Sequence, residues 1–140
     1  MQTLVKIAIT IIISIMFSNV YAQQTFKLTI NVQEASSNDG QMFVSVYNQE
    51  ANFLNTPYKG AISKITNKGC VLTFEGLPEG TYAVSIFHDE NDNGKLDSNF
   101  MGIPKEDYGC SNNAKGFMGP PKWEDAKFEL KTDKIITITL

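Results

Sequence analysis

The sequence predicts an all-β protein: a single antiparallel β-sandwich with one long loop rich in Gly, Pro and aromatic residues. Three observations carry this reading. Apolar and polar residues alternate with period two over most of the chain beyond residue 22. The alternating stretches are separated by clusters of Gly, Pro, Asn and Asp, which supply turns. The strand positions are rich in β-branched and aromatic residues, and no window carries a convincing amphipathic-helix period.

The first segment reads as an export signal. Lys6 is the only charged side chain before Lys27, and an apolar run from Ile7 to Phe17 follows it. Val20-Tyr21-Ala22 then offers the small-residue pattern of a signal-peptidase site, so residues 1–22 are expected to be removed and the mature chain to begin at Gln23. The run is shorter than the ~20 apolar residues that a spanning helix needs, so the cleaved protein is not expected to be integral to a membrane. The expected location is the periplasm or the extracellular space. The 118 residues that remain form one domain, 23–140, large enough for a single core.

Within that domain the strands follow in order. Phe26, Leu28, Ile30 and Val32 share one face of the first. Met42, Val44 and Val46 repeat the pattern after the turn Asn38-Asp39-Gly40. Cys70, Leu72 and Phe74 follow Asn67-Lys68-Gly69, and Tyr82, Val84, Ile86 and His88 follow Leu77-Pro78-Glu79-Gly80. Phe128 and Leu130 precede Ile136, Ile138 and Leu140 at the end. Between residues 99 and 123 the rhythm breaks. This stretch combines Gly, Pro and Asn with Phe100, Tyr108, Phe117 and Trp123, which suits either a structural lid on the sandwich or a binding surface.

Charge narrows the function classes. All twelve basic residues are lysines, and with Lys6 removed eleven of them stand against 15 acids, a formal charge of −4. A chain with no arginine and a negative balance is a poor partner for nucleic acid. Cys70 and Cys110 form an even pair, which in an oxidising compartment is expected to be a disulfide. Closing that loop would stabilise the fold by about 4 kcal/mol.

The strongest local motif is Asp89-Glu90-Asn91-Asp92-Asn93-Gly94-Lys95-Leu96-Asp97. Oxygen-bearing side chains recur at Asp89, Asn91 and Asn93, Gly94 permits a sharp turn, Lys95 offers its carbonyl, and Asp97 closes the run. Alternate residues around a tight turn converge on one point, as a Ca²⁺ ion with six to eight oxygen ligands requires. The twelfth position is Phe100 rather than a bidentate Glu, so an ion would need further oxygens from Asp92, Asn99, Glu106 or Asp107. The alternative is a connection built of Asx-turns, in which these side chains bond their own backbone. His88 is the only histidine. It shares the core-facing parity of Ile86, and no Gly-x-Ser-x-Gly, His-Glu-x-x-His, Walker or Cys-x-x-Cys motif accompanies it, so catalysis is not expected.

Taken together, Phe87-His88-Asp89-Glu90-Asn91, Asn93-Gly94-Lys95-Leu96-Asp97, Asn99-Phe100, Gly102-Ile103-Pro104-Lys105-Glu106, Tyr108-Gly109, Ser111-Asn112-Asn113-Ala114, Gly119-Pro120-Pro121 and Asp125-Ala126 resemble a secreted bacterial family, domain-of-unknown-function family 2141. Cys110 departs from that pattern, in which an aromatic is usual. The Leu77-Pro78-x-Gly80-Thr81-Tyr82 corner is similar to transthyretin-like and carboxypeptidase-regulatory-like modules, and that likeness implies a prealbumin-like sandwich of about seven strands. The resemblance implies no activity. The expected function is a non-catalytic module that binds a ligand or an envelope component through His88, Tyr108, Asn112, Asn113, Phe117 and Trp123, with Ca²⁺ stiffening the 89–97 loop. A carbohydrate-binding or envelope-associated module that stacks sugars on Tyr108, Phe117 and Trp123 is the alternative. A small hydrolase centred on His88 and Asp89 is the third reading.

Overall fold

The computed structural model describes residues 23–140 together with Met1, so the expected signal segment lies outside the described residues apart from that first methionine. Eight strands are present: β1 (Thr25–Gln33), β2 (Gln41–Tyr47), β3 (Lys59–Lys64), β4 (Cys70–Pro78), β5 (Gly80–Asp89), β6 (Tyr108–Cys110), β7 (Phe128–Leu130) and β8 (Lys134–Thr139). A single helical turn, α1 (Trp123–Ala126), and two short 3₁₀ turns at Glu50–Asn52 and Ser111–Asn113 complete it. Among the described residues, no helix is long and apolar enough to cross a membrane.

The strands form two sheets. One has the order β4-β1-β8; the other runs β3-β2-β5-β6, with β7 also paired to β5. The all-β sandwich expected from the alternation is therefore present, with one strand more than anticipated. One pairing departs from the antiparallel pattern: β8 runs parallel to β1, from Leu28 opposite Lys134 to Gln33 opposite Thr139. The reason is connectivity. The short β7 belongs to the second sheet, and the chain crosses after it to the free edge of β1 in the first.

The core lies between the sheets and is filled by the residues that alternation assigned to it. Leu28, Ile30 and Val32 of β1, Met42, Val44 and Val46 of β2, Val84 and Ile86 of β5, and Ile138 of β8 are all buried. Burial of this kind contributes roughly 1.5–3 kcal/mol for each large apolar side chain. Gly109 on β6 points inward, and a Cβ there would lie 2.9 Å from Ile138 Cγ2. The absent side chain lets β8 close against the edge of the second sheet.

The outer face of the second sheet is covered too. Tyr47, Ala83, Cys110, Trp123 and Ala126 form a second cluster there, with Phe53 packed against it. Phe53 stands edge-on to both Tyr47 and Trp123, with ring centroids 5.3 and 5.7 Å apart.

The expected disulfide is not formed: Cys70 and Cys110 are free. The register gives the cause. Cys70 lies opposite Val32 and packs on the main core, whereas Cys110 lies opposite Ser85 and belongs to the outer cluster. The two side chains thus sit on opposite sides of the second sheet, beyond the reach of a disulfide.

Candidate functional site

Strand register builds a trough on the outer face of the second sheet. Ile62, Phe43, Phe87 and Tyr108 lie opposite one another across β3, β2, β5 and β6. The Phe43 and Phe87 rings stack with centroids 4.7 Å apart and planes 9° from parallel. The neighbouring row is Gly60, Ser45, Ser85 and Cys110, all small. Beyond it stand Tyr47 and the outer cluster, with Tyr47 Oη 3.2 Å from Ser85 Oγ. A row of small side chains between two aromatic rows leaves a groove. The 96–104 and 116–121 segments overhang this floor and complete a cleft of about 960 Å³.

The cleft walls are apolar and open to solvent. Met101 is 64% exposed, Ile103 54% and Met118 94%, and all three line it with Pro104 and Pro120. Tyr108, at the end of the aromatic row, lines it as well. Phe117 is 92% exposed beside it.

The other expected binding residues have different duties. Trp123 is buried, 9% exposed, and cannot serve as a stacking platform. The Asn112 side-chain amide donates to the carbonyls of Asp125 and Lys127, at 3.1 and 2.9 Å. Asn113 Oδ1 accepts the Thr139 N–H at 3.0 Å. Between the strand and these two asparagines, the buried Ser111 hydroxyl donates to the Ala126 carbonyl at 2.6 Å and accepts the Val84 N–H at 2.9 Å. Asn112 and Asn113 both adopt positive φ, a conformation in which Asn is less strained than most residues. Ser111-Asn112-Asn113 is thus a staple that ties the long loop, α1 and β8 to β5.

His88 ends the inward-facing row of β5 and is fully buried. Its Nε2 lies 2.7 Å from the Asp39 carbonyl oxygen. A carbonyl can only accept, so Nε2 carries the proton. Asp89 faces the other way. Its carboxylate accepts the N–H groups of Asn93 at 3.1 Å and Gly94 at 2.7 Å, so it forms no dyad with His88.

The 89–97 loop is closed by its own side chains. Asn91 Oδ1 accepts the Asn93 N–H, and Asn93 Oδ1 accepts the Lys95 N–H. Both Asn amides donate to the Asp97 carboxylate, at 2.6 and 3.0 Å. These two donors, Asn93 first, hold the Asp97 carboxyl below its ordinary pKa. Glu106 braces the base of the loop, accepting the N–H groups of Glu90 at 3.0 Å and Asp97 at 2.9 Å. Asn99 caps its own turn, bonding the N–H groups of Met101 and Ile103, and Phe100 is 97% exposed. Asx-turn bonds therefore account for the loop's shape, while the same turn brings the side chains of Asn91, Asn93 and Asp97 together.

The core-facing parity of the strands does not reveal the trough. Its sequence signal lies in the opposite parity: Phe43, Ser45 and Tyr47 on one strand, and Ala83, Ser85 and Phe87 on another, mark a second face too apolar to be merely solvated.

A model of the family described as "Uncharacterized protein conserved in bacteria (DUF2141)" matches residues 30–138. The chain belongs to DUF2141. The match spans both sheets, the 89–97 loop and the staple of this DUF2141 domain. No curated protein and no solved structure matches the chain.

Proposed function

We propose that this DUF2141 chain is an exported, non-catalytic binding module that takes a small apolar ligand into the cleft on the outer face of its second sheet. Export rests on the leader pattern before Gln23. The observation that carries the binding reading is the trough itself: an in-register aromatic row, a floor of Ser45, Ser85 and Cys110, and exposed walls of Met101, Ile103 and Met118. Monomeric proteins seldom leave so much contiguous apolar surface open without a partner for it. The volume also suits a drug-sized molecule. Polar groups on the floor, Ser45 and the Tyr47–Ser85 hydroxyl pair, would orient such a ligand. The same proposal includes Ca²⁺ at the 89–97 loop, held by Asp89, Asn91, Asn93, Asp97 and the Lys95 carbonyl, to stiffen the segment that leads into the cleft wall. A sugar-stacking site is less well supported, because Trp123 is buried and Tyr108 is the one aromatic of the three expected platforms that lines the cleft.

The test uses 1-anilinonaphthalene-8-sulfonate, an apolar fluorescent anion. Native protein is expected to bind it saturably at one site, with enhanced emission. Met101→Glu combined with Ile103→Glu is expected to weaken binding at least tenfold. Both positions are exposed, so the melting temperature should stay within about 2 °C. Failure of the native protein to bind saturably, or binding indifferent to the double substitution, would overturn the cleft reading.

A further inference from the structure

We propose a transition-metal site, of the kind that takes Zn²⁺, at the inner corner of β5, formed by His88 Nδ1 and the carboxylates of Glu90 and Asp107. Glu90 belongs to the 89–97 loop, but none of these three side chains is among the five calcium ligands proposed there, Asp89, Asn91, Asn93, Lys95 and Asp97. The ligand atoms of these three residues all lie within 4.8 Å of one another. Three ligands arranged tetrahedrally around Zn²⁺ at about 2.0–2.1 Å stand roughly 3.4 Å apart. His88 Nδ1 and Glu90 Oε1 are already 3.6 Å apart, close to that spacing with no rearrangement.

The histidine supplies the second observation. It is fully buried, and its Nε2 proton is committed to the Asp39 carbonyl. With that proton on Nε2, Nδ1 is left to carry the lone pair that a metal needs, and it lies 3.6 Å from Glu90 Oε1. The nearest hydroxyl, Ser36 Oγ, is 3.4 Å from Nδ1, but its proton is directed to Glu90 Oε1. The buried Nδ1 thus has one long protein hydrogen bond, to a hydroxyl shared with Glu90, and a cation drawn by the carboxylates takes that hydroxyl's place. Among the described residues, no lysine forms an ion pair with Glu90 or Asp107.

The surroundings have the form of a metal-histidine support. Metal-bound imidazoles commonly donate their other N–H to a backbone carbonyl, which fixes ring and tautomer. Here the carbonyl belongs to a turn packed closely against β5. Gly40 packs so closely on β5 that a Cβ would lie 1.9 Å from the Asp89 carbonyl oxygen, and its φ is +67°. Asp107 is fixed on the other side, where its carbonyl accepts the His88 N–H at 2.8 Å. One imidazole and two carboxylates favour Zn²⁺ and its neighbours over Ca²⁺, which takes oxygen ligands alone. Three protein ligands leave a fourth position open to water or to a small anion.

The experiment titrates metal-free protein with Zn²⁺ by calorimetry, and with Co²⁺ by its visible ligand-field bands. One equivalent is expected to bind. Glu90→Gln and Asp107→Asn, nearly isosteric changes at positions that are not fully buried, should each weaken it at least tenfold while the melting temperature of the metal-free protein holds. Asp97→Asn, in the calcium loop, should leave Zn²⁺ affinity unchanged, which separates this site from that one. His88→Gln should abolish the Co²⁺ bands; if that variant fails to fold, the two carboxylate variants still decide. No binding at ~100 µM Zn²⁺, or binding unaltered by both carboxylate substitutions, would refute the site.

Discussion

Burial pushes the Cys110 thiol up from 9.0 to about 11, because the outer cluster offers no water to solvate a thiolate. An acid raised in the folded state contributes stability that is fully present below its unfolded pKa and is lost as the pH rises through the folded one. The relevant window is pH 9 to 11, and the loss is on the order of 2 kcal/mol. Denaturant unfolding at pH 8 and pH 11 should therefore show native protein losing that much more stability than Cys110→Ala. Tyr82 and the lysines titrate in both proteins and cancel. Thiol counting on denatured, unreduced material should find two free thiols per chain; equal losses in the two proteins, or a count of zero, would contradict this account. The same residue shows where reading the sequence ran out. Alternation placed Tyr82, Val84, Ile86 and His88 on one face without any structure. It could not place Cys110, because β6 has only three residues and its face is set by the register of Ser85 opposite it, 25 positions away.

The 89–97 loop is an element whose local chemistry is legible and whose ion is not. Gly94 at φ +76° and oxygen side chains two residues apart dictate the turn, and Asx-turns and a calcium loop demand the same spacing. The two differ in what calcium does to stability. With a Kd of ~0.1 mM, appropriate to a loop lacking its twelfth-position acid, 1 mM Ca²⁺ adds about 1.4 kcal/mol and raises the melting temperature by about 4–8 °C. Asp97→Ala should abolish that shift, since Asp97 receives both Asn amides. Lys95→Ala should preserve it, because only the Lys95 carbonyl takes part. Equal melting curves in Ca²⁺ and in chelator would leave the loop a set of Asx-turns. The long 99–123 segment was legible as unusual but not as stapled. Its order comes from Ser111 reaching Val84 and Asn113 reaching Thr139, contacts 27 and 26 residues apart that no local pattern announces.

At the scale of the whole molecule, β1 is the strand on which the first sheet depends. It is the middle strand, antiparallel to β4 on one side and parallel to β8 on the other. The strand was legible from its alternation, but the parallel partner was not, since nothing local in Lys134–Thr139 states which edge it joins. The arrangement ties the fold to its first residues. Phe26 and Leu28 are 8% and 0% exposed, and the Lys27 N–H donates to Asp133 Oδ1 at 2.9 Å, anchoring the turn that feeds β8. The expected cleavage before Gln23 would leave β1 whole, because the strand begins at Thr25. A chain of residues 23–140 should therefore unfold in one cooperative transition. A chain beginning at Thr29 loses Phe26 and Leu28, each contributing roughly 2–5 kcal/mol judged by large-to-small substitutions in cores. It also loses ladder bonds on both sides of β1. Those losses are comparable with the whole 5–15 kcal/mol stability of a domain, so the shortened chain should lack a cooperative transition. Near-ultraviolet circular dichroism and thermal melts of the two chains make the comparison. A native-like melt from the shortened chain would mean that Thr29–Gln33 alone holds β4 and β8 together, and that the first sheet does not depend on the beginning of this strand.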